Sequence, residues 1–144
     1  MLRLVLWLVA LLLTSCAALD KMRAGEWVEP AAASRGDDAV AGFDWSAPPS
    51  GIVTSIDGQV VGTGYKRARL LPGRHVIEYA YYTGEFGTNL LGRIELDLVA
   101  GHTYRFDVKL CFWCSPRKYA VWVDDETAGT VVWGQRPDWP GWYL

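Results

Sequence analysis

The chain has 144 residues and a formal net charge of −2, from 14 basic and 16 acidic residues. This length provides for one domain with a single modest core. A weakly acidic chain of mixed sign argues against nucleic acid, and against an anionic membrane surface, as a partner. Eight residues are tryptophan, a high load that usually concentrates in small cores and at binding surfaces.

The N-terminal segment has the pattern of an export signal. One positive charge, at Arg3, precedes an apolar run that ends at Leu13, and a cysteine follows at position 16. A run of about 12 residues is too short to span a bilayer as a helix, which takes roughly 20. We therefore expect residues 1–15 to be a signal peptide that is removed.

The stretch Leu13-Thr14-Ser15-Cys16 resembles the lipobox of bacterial lipoproteins. The resemblance implies that Cys16 carries a thioether-linked diacylglycerol and an acylated amino group, so that membrane lipid is a partner. Ala17, in place of aspartate, resembles the default sorting signal for the outer membrane. This implies a lipid-anchored protein of the bacterial cell envelope that faces the periplasm. The alternative is ordinary secretion, with Cys16 a chance neighbour of the cleavage site.

Residues 16–50 are rich in Ala, Gly, Pro and Asp, a composition typical of linkers. We expect the first part, to about Gly36, to be a flexible tether. The segment from Ala39 to Trp45 has alternating apolar residues and is a candidate edge strand.

From Gly51 onward the apolar residues recur at every second position, which is typical of half-buried strands. Short strands are predicted over residues 52–56, 59–62, 75–82, 94–98, 104–110, 119–123 and 130–133. Asp57-Gly58 predicts a tight hairpin and Leu71-Pro72-Gly73 a second turn. Glycines indicate a loop over residues 83–92.

These elements predict an all-β fold, a small antiparallel β-sandwich of about seven strands over residues 51–134. A Trp-rich tail follows over residues 135–144, where two prolines oppose regular pairing.

Three stretches of this region resemble the PEGA-type domain of bacterial envelope proteins. They are SIDGQVVG (Ser55–Gly62), LLPGRHVI (Leu70–Ile77) and LVAGHTY (Leu98–Tyr104). The Pro-Glu-Gly-Ala box that names the family is absent. The resemblance implies a small transthyretin-like sandwich, and its motifs specify the fold while saying little about chemistry.

Cys111 and Cys114 are the strongest candidates for chemistry. Their C-x-x-C spacing suits a redox dithiol, half of a zinc site or a structural disulfide. No helical pattern follows them, and only His75 and His102 are available to complete a zinc site. In an oxidising compartment we favour a disulfide that clamps the tip of a hairpin. Redox activity, metal binding and free thiols remain as alternatives.

The remaining polar residues suggest no catalytic site. His75 and His102 have the positions of ordinary polar residues at strand ends. The run Asp124-Asp125-Glu126 is typical of a solvated hairpin turn and lacks the spacing of a calcium loop. We therefore expect no catalytic residue, no metal ion and no cofactor.

The aromatic residues give the candidate binding surface. Tyr79 and Tyr81 alternate toward the core, whereas Tyr82 lies on the other face. The surface candidates are Tyr82, Trp139, Trp142 and Tyr143, because Trp and Tyr are the usual interface anchors. The partner would be a glycan or an envelope protein. Packing of the tail against the sandwich is the alternative.

The sequence therefore predicts a non-enzymatic envelope lipoprotein that acts as a binding or structural module. One alternative is a thiol–disulfide active protein that uses Cys111 and Cys114. Another is an accessory subunit of an envelope complex, with the Trp-rich tail as its docking segment.

Overall fold

The structure, a computed structural model, describes residues 25–47, 51–82, 89–111 and 113–139. Within these residues ten strands form two β-sheets, which confirms the predicted all-β sandwich. The strands are β1 (Glu26–Val28), β2 (Ala41–Asp44), β3 (Gly51–Ile56), β4 (Gln59–Val60), β5 (Arg67–Leu70), β6 (Gly73–Tyr82), β7 (Asn89–Leu98), β8 (Thr103–Cys111), β9 (Lys118–Asp125) and β10 (Thr130–Gly134). Two short 3-10 helices, Pro30–Ala32 and Asp37–Ala39, lie between β1 and β2.

The larger sheet has six strands in the order β1-β5-β2-β8-β9-β10, and the smaller sheet has four in the order β4-β3-β6-β7. β1 pairs with β5, and β2 with β8, in parallel. All other neighbouring strands of the two sheets are antiparallel. The hairpins β3–β4, β8–β9 and β9–β10 join strands that are consecutive in the chain, as the sequence pattern indicates.

The N-terminal part of the described chain belongs to the sandwich. We expected a tether to about Gly36, but this region supplies β1, and Ala32 is fully buried. β2 lies between β5 and β8, so the expected edge strand is internal. The physical reason is that its backbone pairs on both sides, with β5 and with β8, which are distant in sequence. Phe43 of β2 and Trp45 just after it are each 1% exposed and add to the core.

The two sheets pack face to face through alternate side chains. Tyr79 of the smaller sheet lies with its ring centroid 5.0 Å from that of Phe106 in the larger sheet. Tyr79 and Tyr81 are both buried, as their alternation predicts. Tyr79 of β6 pairs with Gly92 of β7, and a Cβ at position 92 would overlap the tyrosine ring. Glycine at position 92 therefore makes room for a core aromatic side chain.

The predicted hairpin at Asp57-Gly58 is present and is joined to the start of β6. The two residues have φ of 50° and 76°, the left-handed conformation that two-residue hairpins favour. The Asp57 carboxylate accepts the Val76 N–H at 2.8 Å and lies 2.6 Å from Nδ1 of His75. The other ring nitrogen, Nε2, lies 2.8 Å from the carbonyl oxygen of Leu71. His75 is thus a buried structural link between the two motifs.

The sandwich has two ends of different character. β7 and β8 are joined by the turn at residues 99–102, so β8 runs back along the sandwich. Its last residue, Cys111, therefore lies at the same end as Tyr82, which pairs with the first residue of β7. We call this end the disulfide end. The opposite end, which we call the acidic end, carries Asp57 and the turn over residues 124–129.

One further difference from expectation concerns β7. Residues 89–92, expected in a loop, are its first residues, and residues 83–88 lie outside the described residues. The turn after β7 carries the chain from the smaller sheet to the larger one.

Among the residues that the structure describes, no helix has the length and apolar character needed to span a membrane.

Candidate binding surface

After β10 the chain turns back across the outer face of the larger sheet. Gly134 has a φ of 71°, and a Cβ there would overlap the carbonyl oxygen of Val121 and lie 3.0 Å from Cα of Trp122. Glycine fits this crossing because it has no Cβ and adopts positive φ without strain. Residues 135–139, which we call the strap, continue over β9 toward β8.

Two cationic contacts hold the strap on the sheet. The Arg136 guanidinium donates to Oδ1 of Asp124 at 2.6 Å, and Oδ2 of the same carboxylate accepts from Nε1 of Trp122 at 3.0 Å. Nζ of Lys109 donates to the carbonyl oxygen of Trp139 at 2.7 Å and lies 5.3 Å from the centroid of the Trp139 ring. The strap is therefore attached at both of its ends.

The strap covers charged residues that we expected to face water. Asp107 and Lys109 on β8 are 5% and 9% exposed, and Asp124 on β9 is 4% exposed. Nε of Arg105 donates to Asp107 at 2.8 Å, and this hydrogen bond is the main reason that the pKa of Arg105 is raised above its ordinary value. A layer of paired charges lies between the strap and the sheet, since a buried charge without a partner is costly.

The prediction of a solvated turn at residues 124–126 is wrong for Asp124 and Asp125. Asp125 is 4% exposed, lies 2.7 Å from Nδ1 of His102 and accepts the Ala128 N–H at 2.9 Å. Burial is the largest influence on Asp125 and raises its pKa, but these hydrogen bonds outweigh it and hold the pKa below its ordinary value. His102 also lines a surface cleft of about 310 Å³.

We interpret the His102–Asp125 pair as structural. Two further hydrogen bonds join the same two turns: the Thr103 N–H donates to Oγ1 of Thr127, and the Glu126 N–H donates to the carbonyl oxygen of Thr103. In the described ranges, no group of three His, Cys, Asp or Glu side chains is placed to hold a metal ion.

The strap and β9 together form the candidate binding site, a cleft of about 400 Å³. It is lined by Pro137, Asp138 and Trp139 of the strap and by residues 119–121 of β9. Ala120 lies on the strap side of β9, whereas Tyr119 and Val121 pair with Leu110 and Val108 and lie on the side that faces the smaller sheet. Tyr119 is 60% exposed, and Trp139 is partly exposed. A partly exposed indole ring in a mostly polar cleft suits a sugar ring or an extended peptide.

Cys111 and Cys114 form a disulfide, with their Cα atoms 5.4 Å apart. Cys111 ends β8 and pairs with Lys118 of β9, so the bridge lies at the tip of the hairpin, in agreement with the favoured interpretation. Cys111 is 5% exposed, and no helix begins within residues 113–139. The helix N-terminus that lowers the pKa of many reactive thiols is therefore absent from this part of the chain.

The aromatic residues predicted to form one surface are separated. Trp139 lines the cleft, whereas Tyr82, 49% exposed, lies on the smaller sheet at the disulfide end. Trp142 and Tyr143 of the predicted surface, and Cys16 of the lipobox, lie outside the described residues.

Sequence reasoning missed the residues that hold the strap over the sheet, namely Lys109, Asp124 and Arg136. One signal was present: the outward face of β8 carries both signs of charge in alternation, which suits a covered ionic layer as well as a solvated face. The sequence did not indicate that the chain beyond Gly134 returns to cover it.

No family model, curated protein or solved structure matches this chain. The resemblances to bacterial lipoproteins and to PEGA-type domains therefore remain predictions.

Proposed function

We propose that the protein is a lipid-anchored lipoprotein of the bacterial envelope, and that its sandwich is a non-enzymatic binding module. The observation that carries the binding role is the cleft between the strap and β9, with the partly exposed Trp139 ring as its aromatic wall. The lipobox at Leu13–Cys16 carries the anchoring role. The PEGA-like motifs are in keeping with an envelope protein of this kind.

The strap prepares the cleft for binding before any ligand arrives. Lys109 fixes both the backbone and the ring position of Trp139, and Arg136 fixes the strap to Asp124. A wall that is already ordered loses little conformational entropy on binding. The ring can therefore stack on a sugar or on an apolar side chain, which makes a glycan or an extended segment of an envelope protein the expected partner.

The anchor is tested by growing cells that express the full chain with an alkyne analogue of palmitate. We expect label on the wild-type protein, recovery in the membrane fraction and loss of residues 1–15. Cys16→Ala should abolish both labelling and processing. Cys111→Ala is the matched control, because it also removes one cysteine and should keep the label. An unlabelled wild-type protein would contradict the anchor.

The binding role is tested with the same full chain, purified from detergent-solubilised membranes. Co-sedimentation with purified peptidoglycan probes a glycan partner, and capture from solubilised envelope proteins probes a protein partner. Trp139→Ala should lower recovery of the partner at least tenfold. Trp113→Ala removes an equally large side chain outside the cleft and should leave recovery unchanged. Equal recovery by the two variants would contradict a role for the cleft.

A further inference from the structure

We propose that the disulfide end of the sandwich faces the bilayer, with the tip of the β8–β9 hairpin in contact with phospholipid. The tip comprises residues 113–119. This orientation rests on the proposed lipid anchor at Cys16 and adds a second, non-covalent membrane contact to it.

The strand pairing gives the direction from which the chain reaches the domain. β8 runs toward the disulfide end, β2 is parallel to β8, and β5 is antiparallel to β2. β1 is parallel to β5 and therefore runs away from the disulfide end. Glu26 is thus the residue of β1 nearest the disulfide end. The chain from Cys16 joins β1 at Glu26, on the side that faces the hairpin tip.

The length of the connecting chain agrees with this orientation. Ten residue steps from Cys16 to Glu26 span at most about 36 Å, whatever their path. Glu26 is in register with Arg105 through Arg67 and Asp44 of the intervening strands. Cys111 lies six residues further along β8, a distance of about 20 Å. The acylated cysteine can therefore lie level with the hairpin tip.

The hairpin tip projects beyond its neighbours in the larger sheet. The pairing of β2 with β8 ends at Arg105, and that of β10 with β9 ends at Trp122. β8 and β9 continue as a pair to Cys111 and Lys118. Among the described strands of the larger sheet, β8 and β9 therefore extend furthest toward the disulfide end.

The composition of the tip suits the interface of a bilayer. Trp113 is 83% exposed and Tyr119 is 60% exposed, which are high values for aromatic side chains. Arg117 and Lys118 stand between them, and residues 113–119 include no acidic residue. Tryptophan and tyrosine favour the headgroup region, and basic side chains favour anionic headgroups.

The distribution of charge reverses the expectation drawn from the net charge. The whole chain is weakly acidic. The turn at the other end of β9, over residues 124–129, holds three acidic residues. Of these three, Asp124 and Asp125 are buried and paired, and Glu126 pairs with Arg105. The hairpin tip, with two basic residues and no acidic one, is locally basic and aromatic. An anionic surface would attract the hairpin tip.

Photo-crosslinking in intact cells tests the orientation. The photoreactive residue p-benzoylphenylalanine replaces Trp113 in one full-length variant and Val60 in the other. Both positions are 83% exposed. Val60 lies on β4, two residues after the Asp57-Gly58 turn at the acidic end. After irradiation, mass spectrometry of the peptide that contains each site detects attached phospholipid. The palmitate analogue is scored in the same samples.

We expect labelled protein in both variants, with at least tenfold more phospholipid adduct at position 113 than at position 60. Labelled protein with equal adduct at both positions, or with protein adducts only at position 113, overturns the orientation and leaves the anchor intact. Unlabelled protein overturns the anchor and the orientation with it. Reading the two signals together therefore separates failure of the proposed function from failure of this inference.

Discussion

The crossing of the strap at Gly134 allows a quantitative test, because Gly129 provides a matched control. Both glycines have a φ of 71°, so alanine meets the same backbone penalty at each position. That penalty is roughly 1–2 kcal/mol for a left-handed L-residue. Lower entropy of the unfolded chain offsets about 0.4–1 kcal/mol of it. With open space around Gly129, we expect Gly129→Ala to cost about 1 kcal/mol.

Gly134→Ala meets a second, steric penalty. Its Cβ would overlap the carbonyl oxygen of Val121 and lie 3.0 Å from Cα and 3.3 Å from Cβ of Trp122. These are mostly backbone atoms of β9, which is held between β8 and β10, so the strap must move away. Overpacking of this kind costs about 1–3 kcal/mol. We therefore expect Gly134→Ala to cost about 3 kcal/mol in total.

Urea unfolding of the two variants, followed by circular dichroism, measures both free energies of unfolding. Acrylamide quenching of tryptophan fluorescence, measured in the native state, shows whether the strap has moved. We expect increased quenching in Gly134→Ala and wild-type quenching in Gly129→Ala. If the two variants lose the same stability within about 0.5 kcal/mol, the close crossing at Gly134 is refuted.

Three further predictions concern the sandwich. Gly92→Ala should cost about 2 kcal/mol because it displaces the Tyr79 ring, whereas glycine in an ordinary strand is stabilised by alanine; a gain in thermal stability would contradict the overlap. The lowered pKa of Asp125 stabilises the fold above about pH 4, the ordinary pKa being 3.8, and this contribution is lost as pH falls through the folded value. His102→Phe should therefore move the midpoint of acid unfolding to higher pH. An unchanged midpoint would show that the His102–Asp125 pair is not the source of this stabilisation. Replacing both bridging cysteines with alanine should cost about 2 kcal/mol in urea unfolding, the chain-entropy value for a four-residue loop, and a cost above about 4 kcal/mol would require a different origin.

Eight of the ten described strands and their turns could be predicted because their signals are local, whereas β1 and β5 were not predicted. Alternation of apolar residues marked β6 to β10, and Asp57-Gly58 marked the first hairpin through its preference for positive φ. The bridge between Cys111 and Cys114 was predicted from their spacing and from the expected oxidising compartment. Each of these inferences depends on residues that are close together in the chain.

The features that escaped prediction depend on contacts between distant residues. Burial of Lys109 is decided by Trp139, thirty positions away. Burial of Asp124 requires Arg136, on a segment that the sequence marked only as irregular. β2 was read as an edge because its neighbours, β5 and β8, are not adjacent in the sequence. Alternation indicates that a strand has two faces but does not say what covers either face.

The proposed orientation also constrains the partner of the cleft. The backbone at position 119 belongs to the hairpin tip and borders the cleft, so a hairpin tip that touches phospholipid brings the mouth of the cleft close to the bilayer. A partner bound there must approach along the membrane surface. A protein held on the same membrane meets this requirement more easily than a glycan strand remote from it. The two binding assays should therefore favour capture of a membrane-held protein over peptidoglycan, if the disulfide end faces the bilayer.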